Sequence, residues 1–324
     1  MRRLLAPVVI LFAIAAAGVG LSYAPDRSVE SLQSEFAPPP SQFIAIDGMQ
    51  VHLRDEGARD DPLPILLLHG TSASLHTWDG WVAALAPTRR VIRVDLPGFG
   101  LTGPNPSGDY TAQSYPSHVG RVLDHLGIRR AVWVGNSFGG QVAWLAALEM
   151  PERVGALILI DAAGYPFVPE SIPLGFQLAL DPNMAPIVRN LLPRFIVASS
   201  LRETYGDPGN ATEATIDLYY AMALRAGNRQ ALIDRFAQGV AAHGAMSERI
   251  AEIQMPTLIL WGSLDRLIPA DNAARFHADI DGSELTVFPG LGHIPHEEDP
   301  AATAARAKTF LASLPINPTS PSLD

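Results

Sequence analysis

The sequence predicts an α/β protein built on a mostly parallel sheet, with a helical cap inserted between two of its strands. Three observations lead there. Short apolar runs alternate with helical patterns on both sides of one interval, as βα units require. Runs such as Ile65 to Leu68 and Val91 to Val94 lack the polar alternation of a half-exposed strand and read as buried on both faces. The interval itself, from about Ala163 to Ala251, has no strand pattern and carries amphipathic helical stretches, including Ile187, Val188, Leu191 and Leu192 on one face.

Composition narrows the function classes. A chain of 324 residues, 48% hydrophobic and 17% charged, can bury one large core or two modest ones. The net charge of -10 and the lack of any Lys/Arg cluster argue against nucleic acid as a partner. No cysteine is present, which excludes disulfides, thiolate metal sites and a cysteine nucleophile.

In chain order, Arg2 and Arg3 precede an apolar run from Leu4 to Leu21, and Ser22-Tyr23-Ala24-Pro25 follows. As a helix the run would span about 27 Å, close to the roughly 30 Å hydrocarbon core. Residues 1–24 therefore read as a membrane anchor, with a cleaved signal ending at Ser22-x-Ala24 as the alternative. The arginines should stay cytoplasmic, which places the remainder at the outer face of the cytoplasmic membrane, or outside the cell if the segment is removed. Residues 25–41 read as a linker with a short amphipathic helix and the stiff Pro38-Pro39-Pro40.

The core is expected over 42–162 and 252–315, the cap over 163–251 and a tail over 316–324. Phe43 to Ile46 and Met49 to Leu53 flank Asp47-Gly48 as a hairpin with a two-residue turn. Tyr115, Val119, Val122, Leu123 and Leu126 share a helical face that Gly127 ends. Ala131 to Val134 is a strand, Phe138 to Met150 a helix stopped by Pro151, and Ala156 to Ile160 another strand. Thr257 to Leu260 and Leu285 to Phe288 are strands separated by a helix near Ala270 to Ala278, and Ala301 to Leu314 closes the chain.

The chemistry centres on Ala131 to Gly140, where a strand runs into Gly135-Asn136-Ser137-Phe138-Gly139 and then into a helix. That is the context of a nucleophile elbow, in which Ser137 sits at a strained turn and glycines at 135 and 139 avoid collision with the neighbouring strand and helix. A serine nucleophile needs a base, an acid to orient it, and donors where oxyanion charge develops. Asp265 lies in the loop after Thr257 to Leu260, and His293 in the loop after Leu285 to Phe288. In a parallel sheet these loops share one edge with the elbow. Backbone N–H groups of Phe138 and of Thr71, after His69-Gly70, are the candidate oxyanion donors. His69 reads as a residue that fixes its loop by hydrogen bonds. Asp161 is a second candidate for the acid, with Asp265 preferred; otherwise it should accept hydrogen bonds from backbone at the cap hinge. His296, Glu297 and Glu298 read as the start of the closing helix, where acidic groups favour the dipole, rather than as metal ligands.

Together these residues resemble the α/β-hydrolase family of serine esterases and lipases over about residues 43 to 313. The matching motifs are Leu68-His69-Gly70, Asp95-Leu96-Pro97-Gly98-Phe99-Gly100, Gly135-Asn136-Ser137-Phe138-Gly139-Gly140, Pro256 to Asp265 and Gly290 to His293. The resemblance implies a doubly wound sheet of about eight strands with a helical lid, no cofactor, and hydrolysis through an acyl-enzyme. The acid loop from Trp261 to Pro269 matches the family's pattern and favours Asp265. Gly-Asn-Ser-Phe-Gly-Gly is also similar to the elbow of hydrolases that cleave carbon–carbon bonds in ring-fission products. Those usually carry more glycine and a proline after His-Gly, where this chain has Thr71-Ser72-Ala73-Ser74. A binding module on the same fold is the non-enzymatic alternative. The expected partner is an uncharged, apolar ester, since the cap is rich in Leu, Ile, Met, Phe and Tyr.

Overall fold

Eight strands form one sheet in the order β1-β2-β4-β3-β5-β6-β7-β8, in a computed structural model that describes residues 23–241 and 246–314. The strands are β1 Gln42–Ile46, β2 Met49–Glu56, β3 Ile65–Leu68, β4 Val91–Val94, β5 Ala131–Asn136, β6 Val154–Ile160, β7 Thr257–Gly262 and β8 Glu284–Phe288. The β1–β2 and β2–β4 pairs are antiparallel, and the other pairs are parallel. Asp47 (φ 52°) and Gly48 (φ 78°) make the two-residue hairpin turn, the mirror-image type whose twist suits the flanking strands.

The apolar runs bury both faces of the sheet. Leu66, Leu68, Trp133, Leu157 and Ile259 pack on one side, against Val119 and Leu123 of α3 (Ser114–His125), Val142 of α4 (Phe138–Glu149) and Phe276 of α10 (Asp271–Asp279). Ile65, Leu67, Val132, Ile158 and Leu258 pack on the other, against Trp81 of α2 (Asp79–Leu85) and Phe310 of α12 (Pro300–Ser313). Alternate residues thus serve alternate layers, and each aliphatic side chain contributes about 1.5–3 kcal/mol by burial.

The strand β2 continues three residues beyond the apolar pattern. Arg54, Asp55 and Glu56 pair in register with Arg93, Ile92 and Val91 of β4. Their charges are matched locally, Asp55 by Arg59 and Arg90, and Glu56 by Arg93 at 2.8 Å. An apolar pattern cannot reveal a strand whose charges are neutralised by partners distant in sequence.

Between β6 and β7 lie five α-helices and no named strand among the described residues: α5 Leu174–Leu180, α6 Ala185–Val188, α7 Arg194–Thr204, α8 Glu213–Leu224 and α9 Asn228–Ala241. These helices form the cap. A short helix α11 (Pro295–Glu298) precedes α12. Near the amino end, α1 (Val29–Phe36) is capped by Ser28, whose Oγ accepts from the Ser31 N–H at 3.3 Å, and buries Leu32 completely.

The chain just before α1 is stitched to the cap. The Ala24 N–H donates to the Asn190 carbonyl (3.1 Å), the Arg27 N–H to Leu224 (2.7 Å), and the Ala226 N–H to Arg27 (2.9 Å). Asp26 is ion-paired with Arg229 at 2.5 Å. Ala24 is buried among Val188, Leu192, Ile196 and Leu224. The apolar run from Leu4 to Leu21 and the tail 316–324 lie outside the described residues, among which no helix is long and apolar enough to cross a membrane.

Candidate active site

At the end of β5 the backbone turns sharply into α4, and Ser137 takes φ 54° and ψ −116° at the turn. A non-glycine residue held there stores of order 1–3 kcal/mol of strain, which the surroundings must hold in place. Three backbone bonds do so: the Ser137 N–H donates to Ile160 (2.9 Å), and its carbonyl accepts from Gln141 and Ala163, both at 3.1 Å. A Cβ on Gly135 would stand 2.1 Å from the Gly139 carbonyl oxygen, and one on Gly139 would stand 2.2 Å from that of Leu68. Gly70 packs against the elbow less tightly, since its Cβ would meet Asn136 Oδ1 at 2.8 Å and the Ser137 Cβ at 3.2 Å. The Gly70–Thr71 backbone therefore flanks the serine on one side, and Phe138 opens α4 on the other. The Phe138 N–H is among the first four of that helix, which have no intrahelical acceptor.

Asp265 and His293 meet across two loops. The His293 Nδ1 lies 2.7 Å from Asp265 Oδ2, while Asp265 Oδ1 accepts from the Leu267 N–H (2.8 Å) and the Ile268 N–H (2.9 Å). Both residues are buried. The carboxylate is thus fixed by its own loop and holds the imidazole with Nδ1–H towards it. The His293 N–H donates to the Thr204 carbonyl of the cap at 2.7 Å, and Asn136 Nδ2 donates to the His293 carbonyl at 3.0 Å. Asn136 therefore links the elbow to the imidazole loop. Nothing in the sequence around Asn136 announced that link, because the loop it holds lies far along the chain.

Asp161 departs from its expected surroundings. Its Oδ1 accepts from the Gly262 N–H at 2.9 Å, at the start of the Asp265 loop rather than at the cap hinge. One atom each of Asp161, Asp265 and His293 lies within 4.8 Å of the others. Burial, reinforced by the Asp265 charge, pushes the Asp161 carboxyl well above the ordinary range, which favours its neutral form. The 2.7 Å contact between His293 and Asp265 is a hydrogen bond that leaves no space for a cation between those two atoms.

His69 fixes its loop, as expected. It is fully buried, with Nδ1–H towards the Gly70 carbonyl (2.7 Å) and Nε2 accepting from the Leu96 N–H (3.0 Å). His296, Glu297 and Glu298, by contrast, do not open the closing helix. His296 is fully buried against Trp78, ring centroids 4.2 Å apart, and burial lowers its pKa to about 3. Glu297 accepts from the hydroxyls of Tyr205 (2.7 Å) and Tyr219 (2.9 Å), both from the cap. Glu298 accepts from the N–H groups of Gly206 and Asp207 (2.9 Å each) and of Gly292 (2.8 Å). These acids tie the His293 loop to the cap; they are occupied by cap and loop donors rather than by a helix dipole.

A cavity of about 550 Å³ lies between cap and sheet edge, with Ser137, His293, Thr71 and Phe138 on its wall. Most of the lining is apolar, including Trp144, Phe167, Phe176, Leu192, Met222 and Ile268. Two arginines also line it, Arg229 and Arg235. The guanidinium of Arg235 lies over the Phe138 ring, 3.7 Å from its centroid. This cation next to the elbow is a feature that the count of apolar cap residues concealed.

Comparison with known proteins agrees with this architecture. Residues 64–300 match the family described as alpha/beta hydrolase fold. The chain is 29% identical over 279 residues to a 2-hydroxy-6-oxo-2,4-heptadienoate hydrolase of Pseudomonas putida, covering 84% of this chain and 96% of the relative. Among solved structures, a bacterial membrane phospholipase A superposes with a TM-score of 0.73 at 25% identity, covering 98% of this chain and all of the other. A meta-cleavage product hydrolase of Pseudomonas fluorescens superposes with a TM-score of 0.72 at 26% identity, over 84% of this chain and 97% of the other. With this sheet order and this arrangement of serine, acid and imidazole loops, the chain is a hydrolase that belongs to the α/β-hydrolase fold family.

Proposed function

We propose that the protein is a serine hydrolase of carboxylic esters with apolar acyl groups. Ser137 attacks the ester carbonyl, His293 takes its proton, and Asp265 holds the imidazole tautomer and stabilises the imidazolium. The N–H groups of Thr71 and Phe138 receive the oxyanion, and the imidazolium gives its proton to the departing alcohol; His293 then deprotonates a water that attacks the acyl-enzyme, and returns that proton to Ser137 as the acid leaves. The observation that carries this reading is the 2.7 Å His293–Asp265 contact on the wall of an apolar cavity that Ser137 shares. The whole-chain similarity to a membrane phospholipase A supports an ester substrate.

A second reading, hydrolysis of a carbon–carbon bond in a ring-fission product, is supported by the relatives named for that activity. The experiment that separates the two compares kcat/KM over p-nitrophenyl esters of rising acyl length with cleavage of a 2-hydroxy-6-oxo-dienoate. Ester turnover should rise gradually with length, since each buried methylene contributes at most about 0.8 kcal/mol. Ser137→Ala should lower kcat by as much as about a millionfold. Rapid cleavage of the dienoate with no ester turnover would replace the first reading by the second.

A further inference from the structure

Arg235 sits on α9, in the cap, and its surroundings are unusual for a cation. No hydrogen bond or ion pair reaches its guanidinium among the described residues, and its Nε is sealed from solvent without an acceptor. Arg229, the other arginine of the cavity, is neutralised by Asp26. Arg235 has instead the face of Phe138 at 3.7 Å and the more distant ring of Phe236 at 5.7 Å. An aromatic face attracts a cation but satisfies none of its five N–H donors. Enclosing an unpaired charge costs several kcal/mol, more than the roughly 2 kcal/mol a desolvated cation–π contact returns. Burial lowers its pKa only to about 10, so the group stays charged at neutral pH. The side chain lines the cavity, so a ligand bound there can supply the missing acceptor.

We propose that Arg235 anchors an oxyanion, a carboxylate or a phosphate, carried by an otherwise apolar substrate. The inference rests on the reading of this cavity as the substrate site. The substrate class becomes an amphiphilic ester bearing one negative group, rather than a neutral one. Phe138 places the anchor one residue from Ser137, so the charged group and the scissile carbonyl occupy neighbouring parts of one ligand. A planar guanidinium suits a bidentate contact with either oxyanion.

The test is a calorimetric titration of the full-length protein with octanoate, octyl phosphate and octanol, which share a chain and differ in the head. Because it reads binding, it stands whether or not esters are turned over. Charge-assisted hydrogen bonds of this kind correspond to roughly tenfold to hundredfold in affinity, so octanoate or octyl phosphate should bind tighter than octanol by that factor. The tighter of the two anions identifies the source of the oxyanion. Arg235→Met should abolish the preference, and Arg235→Lys should retain about tenfold of it. Equal binding of all three by the unmodified protein overturns the proposal without any variant. An undiminished preference in Arg235→Met overturns it as well, by placing the anion elsewhere in the cavity.

Discussion

Asp161 and Asp265 are the same residue type at the ends of adjacent strands, and their surroundings differ. Asp265 accepts two backbone N–H bonds and faces an imidazole, whereas Asp161 accepts one and faces a carboxylate. Replacing Asp265 by Asn should lower kcat by about ten-thousandfold with the fold intact, while Asp161→Asn should change it less than tenfold. The pH dependence of stability distinguishes them further. An unfolded Asp loses its proton near pH 4, but native Asp161 keeps it, so above that pH the unfolded chain is favoured by about 1.4 kcal/mol per pH unit until the native group ionises. Asparagine removes this penalty and retains an acceptor for Gly262. Urea midpoints between pH 5 and 8 should therefore show Asp161→Asn gaining on the unmodified protein as pH rises; a constant difference would contradict a neutral Asp161. Ser137, Asp265 and His293 were legible because strand ends and flanking glycines mark their loops. Asn136 and Arg235 were not, since their partners, or the lack of them, arise only from the fold.

At the scale of elements, the parallel strands were the clearest part of the sequence, because a run buried on both faces has no other pattern. The end of β2 was hidden by Arg54, Asp55 and Glu56, whose burial depends on counter-charges from β4 and its surroundings. The Glu297–Glu298 pair was misread for a related reason: an acid after a histidine loop suits a helix start equally well, and only the cap's position shows what it binds. Glu298 joins the Gly292 N–H, beside the imidazole, to the Gly206 and Asp207 N–H groups that follow α7. Glu298→Ala should cost about 2 kcal/mol in stability, since three backbone donors lose a charged acceptor. It should also lower kcat, because His293 loses part of what fixes its loop. A thermal melt paired with ester turnover checks both, and an unchanged kcat beside a lowered Tm would show that the loop is held without it.

For the molecule as a whole, we propose that residues 1–24 anchor the catalytic domain at the outer face of the cytoplasmic membrane, on the strength of Arg2-Arg3 and the run from Leu4 to Leu21. Fractionation of expressing cells, with sequencing of the mature amino terminus, should find the protein at the membrane with its first residues intact; an uncleaved protein wholly in the cytosol would end the proposal. The stitching of Ala24 and Arg27 to Asn190, Leu224 and Ala226 then acquires a mechanical meaning. Force applied along the leading chain is borne first by the roof of the cavity, before it reaches α1 and the strand β1 that follows. A tether fastened there turns any tug or tilt at the amino end into a load on the chamber that holds the substrate, and on the imidazole loop that Glu297 and Glu298 bind to the cap.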